Sequence, residues 1–343
     1  MADVLTGLTG KASVFIFAWI LPCALALGGI AFFLMPWLLW VPDGWQPAHA
    51  DFAKASLILA FAAVGLGVLM SGIQTQLYRV LEWYALPDPA RHYGVRRERS
   101  RKRCLEIRLA CVRTEAQALK DRGQPYSGWE ETLIQEKLGR FPIQDSEIAP
   151  SRLANALRSF ETYGWDRYNL DSQTLWTELL VVAPEAERTE LDQSRAAVDF
   201  LVALVYLTIL VALGILSGLI GRGNFGWKLF TDNWGFLAVA AIAFLVARLW
   251  YKAAVASSSY WYSTVQALVN VGRVELAEQL GLRIPATLDE ERTMWAALSD
   301  LVIGPYSAKA AKALDPFRTK PDPSADPPTR GGLLAWFRGG ALR

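Results

Sequence analysis

The sequence predicts an all-α integral membrane protein with four transmembrane helices and a helical cytoplasmic domain. Three observations lead there. First, apolar residues make up 52% of the 343 and are bunched rather than spread. Residues 12–40, 55–78 and 200–221 carry no charged side chain, and 233–247 is a shorter uncharged run. A helix of roughly 20 apolar residues crosses the hydrocarbon of a bilayer. Second, of the 35 Lys and Arg, 18 fall in 84–195 and 10 in 253–343, while residues 41–52 have none. Cations accumulate on the cytoplasmic side, so both termini and the 84–195 segment are expected inside. Third, no alternating run is long enough to read as a strand.

The first hairpin, with its cytoplasmic stalk, covers 1–83. Pro22 and Pro36 kink its first span, and Trp37, Trp40 and Trp45 mark the outer interface. Ala48-His49-Ala50 has the small-x-small form of a signal-peptide cleavage site. The apolar region before it is too long for a signal peptide, so an uncleaved anchor is expected. The second span has a small-residue stripe of Ser56, Ala60, Ala63, Gly67 and Ser71, which lets another helix approach closely. It runs on through Gln74, Thr75 and Gln76 without a breaker, so the helix is expected to continue to Pro87 and Pro89.

Residues 84–195 form the cytoplasmic domain. Ser127 and Glu130 have capping-box spacing before an apolar-periodic run ending at Gly139. Ser151 opens a helix expected to end near Gly164, and Asp171 can cap a short one ending near Pro184. The second hairpin covers 196–252. Its third span carries Gly214, Ser217, Gly218 and Gly221, and Arg248 and Lys252 lie near the end of the fourth, where cations snorkel. Residues 253–314 read as a cytoplasmic helical region packed on protein, because their uncharged stretch is rich in Ser, Asn, Gln and Tyr. The tail, 315–343, is Pro-rich and includes LLAWFR at 333–338, with the composition of an interfacial anchor or of a frayed terminus.

Chemistry-bearing motifs are few. GRGNFG at 221–226 satisfies G-x-G-x-x-G but follows a membrane helix instead of a strand, so it is not read as a nucleotide site. Two histidines in the whole chain leave little for a His-dependent catalytic constellation, and no enzyme, cofactor or metal is expected. Cys104 and Cys111 read as an inert reduced pair. Polar residues at the span mouths are the pore or gate candidates: Gln74, Arg79, Glu82 and Asp199. Repeated around an oligomer axis, carboxylates there would select cations. The other reading pairs these residues, with Arg248, at the interface.

RRERSRKR, residues 96–103, packs six cations and one anion into eight residues. On a helix Arg96, Arg99 and Arg103 share one face, with Arg97 and Arg101 on another, so charge surrounds it. Together with Lys102 these are the anionic-ligand or lipid candidates. The segment reads as a topology signal that also attracts anionic lipid, as a grip for a nucleotide or nucleic acid, or as a solvated face. His92, Tyr93, Tyr126 and Trp129 are stacking residues close in sequence.

In residues 155–202, Asn155, Leu157, Arg158, Glu161 and Tyr163 are followed by Arg167, Tyr168 and Asp171 and then by Leu175 and Trp176. This resembles a segment of uncharacterised bacterial integral membrane proteins with the pattern N-x-L-R-x-x-E-x-Y, R-Y-G-x-D, L-W-P-R-L. Asn169 stands for the glycine and Thr177-Glu178 for Pro-Arg. The overall plan is similar to membrane effectors of bacterial anti-phage systems, including the Hailong type, where a nucleotidyltransferase product controls an oligomeric ion channel. That similarity is one of architecture. Together with the stalk-like helix extensions, the small-residue stripes and the polar residues at the span mouths, it leads to the expectation of a homo-oligomeric bacterial inner-membrane channel, gated through its cytoplasmic domain by an anionic nucleotide or oligonucleotide. The alternative is a non-conducting scaffold that recruits a soluble partner protein through 84–195. A transporter ranks last, since the two hairpins do not look like repeats.

Overall fold

The computed structural model describes residues 12–31, 52–221 and 234–319. Among these residues it is helical, with no strand and one isolated bridge, Leu282 to Arg318. Four helices are long and apolar enough to cross a membrane. They are α1 (Ala12–Gly29), α2 (Phe52–Gly72), α9 (Glu185–Gly221) and α10 (Trp234–Gln279). Between α2 and α9 come α3 (Gln74–Leu81), α4 (Asp88–Asp121), α5 (Trp129–Leu138), α6 (Arg152–Glu161), α7 (Tyr163–Tyr168) and α8 (Trp176–Val182). After α10 come α11 (Leu288–Ile303) and α12 (Ala308–Leu314). The three interface tryptophans, the Ala48-His49-Ala50 triplet, the 221–226 motif beyond its first glycine and the LLAWFR segment lie outside the described residues.

In α1, a wide π-turn spans Ile16–Ile20 just before Pro22, with the Leu21 N–H reaching back to the Ile16 carbonyl. Proline cannot donate and its ring crowds the carbonyl four residues earlier, and the wider turn relieves that clash. Part of the small-residue stripe of α2 is used inside the chain. A Cβ on Gly67 would lie 3.1–3.2 Å from atoms of Trp19 and Ile20, and Ala63 is buried in the same cluster as Trp19 and Cys23. Gly214, in the stripe of α9, is not used this way. A Cβ on Gly214 would meet nothing within 4 Å, while Ile215 and Leu219 turn to Ala240 of α10. The α1–α2 hairpin leans on α9, with Phe17 stacked on Phe200 at 5.0 Å and Ala196, Ala203 and Leu207 in the shared core.

The second helix does not run unbroken to Pro87 as its sequence predicts. It breaks at Ile73 (φ −101°, ψ 13°), resumes as α3 and stops at Leu81. Gly72 weakens the junction, and tertiary bonds hold the offset turn: the Tyr206 hydroxyl donates to the Leu77 carbonyl at 2.6 Å. Trp83 follows with φ 70°, a conformation uncommon for a bulky residue, which turns the chain away.

The Ser127–Glu130 capping box is not formed. Gly128 is the cap of α5, without a side-chain hydrogen bond. Glu130 is drawn instead to Arg108 of α4 at 2.6 Å, and Glu131 to Arg113 at 2.8 Å. Ser151 does cap α6, accepting from the Ala154 N–H at 3.1 Å. The helix it opens breaks at Thr162 rather than near Gly164, and α7 continues to Asn169, whose left-handed φ of 56° ends it. Asp171 accepts from the Gln173 and Thr174 N–H groups at 3.0 and 3.1 Å and so leads into α8.

The main core sits where α6, α8 and α11 pack on the non-spanning ends of α9 and α10. Leu153, Leu179, Val198, Val269 and Trp295 are completely enclosed. The polar-flecked part of α10 packs on protein, through Ala254, Ser258, Val265, Leu268, Gly272 and Leu276. Tyr163 and Tyr168 both donate to Asn270 Oδ1, at 3.1 and 2.9 Å. Helices α9 and α10 pass from the apolar spans into this core without a break.

Candidate functional site: a carboxylate junction and two basic clefts

Three of the four pore or gate candidates share one wall. A cavity of about 420 Å³ lies where α3 leaves the second span, lined by Gln74, Arg79 and Glu82 on one side and by Glu161, Trp176, Arg195 and Trp261 on the other. Asp199 lies directly behind it. Its Oδ1 accepts from Gln74 Nε2 at 2.9 Å and from the Tyr78 hydroxyl at 2.7 Å. Its Oδ2 is 3.8 Å from Arg195 Nε. Only 5% of Asp199 is exposed. Partners from its own chain thus satisfy it, as a buried carboxylate requires.

Glu82 and Glu161 oppose each other electrically across this cavity. Burial, and then the Glu161 carboxylate, push Glu82 up to about 7, with Arg158 and Arg79 resisting. Burial raises Glu161 as well, again against Arg158. Two carboxylates that share a partly dry space do not both ionise easily.

Arg158 also reaches the other way. It lines a second cavity of about 540 Å³ with Arg91, His92, Arg96 and Arg99, opposite Glu147 and the 148–150 backbone. One guanidinium nitrogen of Arg158 is 3.6 Å from Glu147 and the other donates to the Tyr84 hydroxyl at 3.4 Å. Arg91 pairs with Asp88, and Arg99 donates to the Asp145 carbonyl at 3.2 Å. The Nε atoms of Arg91 and Arg99 are buried with no partner. Buried donors left unmet are costly.

The basic segment divides. It lies on α4, as predicted, but charge all round the helix does not keep it from packing. Glu98 and Lys102 are 3% and 7% exposed and share a buried stripe with Gly94, Val112 and Ala116. Lys102 donates to the Pro142 and Ile143 carbonyls at 3.0 and 2.9 Å and to Asp145 at 2.8 Å, and the ammonium holds Asp145 below the usual carboxylate range. Lys102 is therefore a tie between α4 and the 142–145 loop. Arg96 and Arg99 enter the cleft with Arg158. Arg101 pairs with Glu98 at 3.3 Å and lines a separate cleft. Arg97 and Arg103 are exposed and line neither cleft. Of the stacking residues, His92 lies at the first cleft; Tyr93, Tyr126 and Trp129 do not line it.

The sequence reading missed Arg91, Arg140 and Arg152 as site residues, and gave Arg158 and Glu161 only as matches of the resemblance. The one signal for the last two was their spacing of three, which puts both on one face of α6. Among the described residues no group of three or more His, Cys, Asp or Glu is placed to hold a metal ion. Cys104 and Cys111 are free and exposed. No known protein family matches this chain, nor does any curated protein or solved structure.

Proposed function

We propose that the chain is a ligand-gated ion channel of a bacterial inner membrane, a homo-oligomer with cytoplasmic termini, whose helical domain between α2 and α9 takes an anionic nucleotide or oligonucleotide, in the manner of an anti-phage effector. One observation supports the coupling. Arg158 belongs to both the basic cleft and the field of Glu82 and Glu161. An anion held by Arg91, Arg96 and Arg99 competes for Arg158 and weakens its hold on the two carboxylates. Those carboxylates flank α3, whose Gln74 and Tyr78 bind Asp199 at the head of the third span. Asp199 in this reading acts on release from Gln74 and Tyr78, since in the described state it is enclosed.

The test is current across a planar bilayer holding the purified protein, with short DNA and RNA oligonucleotides added on the side of the helical domain. Unitary currents that change with oligonucleotide, and no longer do so in an Arg96→Gln/Arg99→Gln variant, are expected. Silent bilayers with the protein shown to be inserted would reject the channel. They would favour the scaffold reading, for which Trp129 and Leu133, exposed one turn apart on α5, are the natural contact.

A further inference from the structure

A second basic cleft, separate from the one assigned to the gating ligand, is built from four helices and the turn after α5. Arg101 comes from α4, Lys137 from the last turn of α5 and Arg140 from just beyond it. Arg152 comes from the first turn of α6 and Lys252 from α10. The space is about 320 Å³, and no carboxylate lines it. Arg101 is tied to Glu98, and Arg140 to Glu136 at 2.6 Å. Lys137, Arg152 and Lys252 make no ion pair among the described residues.

Two of the cations are held in place. Arg140 Nε donates to Ser259 Oγ on α10 at 2.9 Å, and the Arg101 guanidinium lies over the Phe141 ring at 5.9 Å. The Tyr251 hydroxyl takes the Leu153 N–H at 3.3 Å, fixing α6 to α10 at the back. Burial, followed by the like charge of Arg101, holds Arg152 below its ordinary value. Five cations gathered with two carboxylate partners leave a local excess that an anion relieves.

Depth identifies the source of that anion. Lys252 lies 18 residues from Trp234 along an unbroken helix, about 27 Å at 1.5 Å per residue. That is close to the hydrocarbon thickness of a bilayer, roughly 30 Å. With Trp234 taken as the outer edge of the span, Lys252 falls at headgroup level on the side of the helical domain. We propose that this cleft binds a phosphate group, presented by the headgroup of an anionic lipid of that leaflet. The lipid would pin α4, α5 and α6 against α10 at the membrane face.

The test uses the full chain in a neutral detergent and two probes, dihexanoyl phosphatidic acid and inorganic phosphate, with dihexanoyl phosphatidylcholine as the zwitterionic control. Binding is read by isothermal titration. Lys137→Gln/Lys252→Gln changes two exposed, unpaired side chains and leaves the fold intact. Each lost cation is expected to weaken phosphatidic acid about fivefold, so the pair costs more than tenfold. Arg103→Gln, exposed and lining neither cleft, should leave this binding unchanged. Inorganic phosphate bound as tightly as phosphatidic acid, and lost in the same variant, would keep the phosphate site and overturn the lipid as its source. Equal binding of phosphatidylcholine, or an affinity for phosphatidic acid unmoved by the double variant, would overturn the proposal.

Discussion

Replacing Glu82 by Gln should stabilise the protein in alkali and leave it unchanged in acid. Glu82 ionises at about 7 in the folded chain, against an ordinary 4.5, chiefly because it is buried and then because Glu161 is near. Below 4.5 the group is neutral in both states and contributes nothing. Between 4.5 and 7 the unfolded chain gives up its proton and the folded chain keeps it, so stability falls as pH rises. Above 7 the folded chain carries the full penalty. At about 1.4 kcal/mol per pH unit the displacement corresponds to about 3 kcal/mol. Water reaches the cavity, and screening reduces this to about 1–2 kcal/mol. Gln keeps the size and removes the charge. Thermal unfolding in detergent, followed by tryptophan fluorescence, should show equal Tm values near pH 4 and a gain of about 2–6 °C for Glu82→Gln near pH 8.5. The same Tm difference at both pH values would refute the reasoning, because only a titrating group produces a pH-dependent gap.

Two further substitutions probe the packing of α4. A Cβ on Gly94 would lie 2.5 Å from the Pro150 carbonyl oxygen, so Gly94→Ala must shift the 148–150 backbone and is expected to cost about 1–3 kcal/mol. Hydrogen exchange should localise the loosening to that loop and α4. Lys102→Met strands two carbonyls and Asp145 and should cost about 1–3 kcal/mol. Arg103→Gln, one residue on and exposed, should stay within about 0.5 kcal/mol. Chemical denaturation of the two variants side by side separates a structural lysine from a surface arginine.

The spans were legible because a membrane helix is a local signal: length and absence of charge suffice, and α1, α2, α9 and α10 follow the uncharged runs. Caps were legible only where no other partner competed. Ser151 caps as its sequence predicts, whereas Asp171 holds only the turn before α8, whose cap is Leu175, and Glu130 is taken by Arg108, 22 residues earlier. The break at Ile73 was hidden because Gly72 alone does not announce it, and the Tyr206 bond to Leu77 that holds the turn spans 129 residues. Lys102 resembles its neighbours in sequence, and only the carbonyls of Pro142 and Ile143 single it out. The fold brings Asp199 onto Gln74 and Tyr78 through bonds that span more than 120 residues, which no local pattern could show. The basic clefts draw on up to four helices, and no run of residues announces such a meeting.

The unbroken α10 is also a lever. Its 46 residues measure about 69 Å at 1.5 Å per residue, of which some 40 Å project past Lys252. No glycine pair or proline interrupts it near the membrane face, so it has no hinge there. A tilt of about 5° within the bilayer would sweep the far end near Gln279 by about 3.5 Å. That end carries Arg273, which is clasped by Glu291 of α11 at 2.8 Å. Any tilt of this helix would therefore reach α11 enlarged, through the Arg273–Glu291 pair.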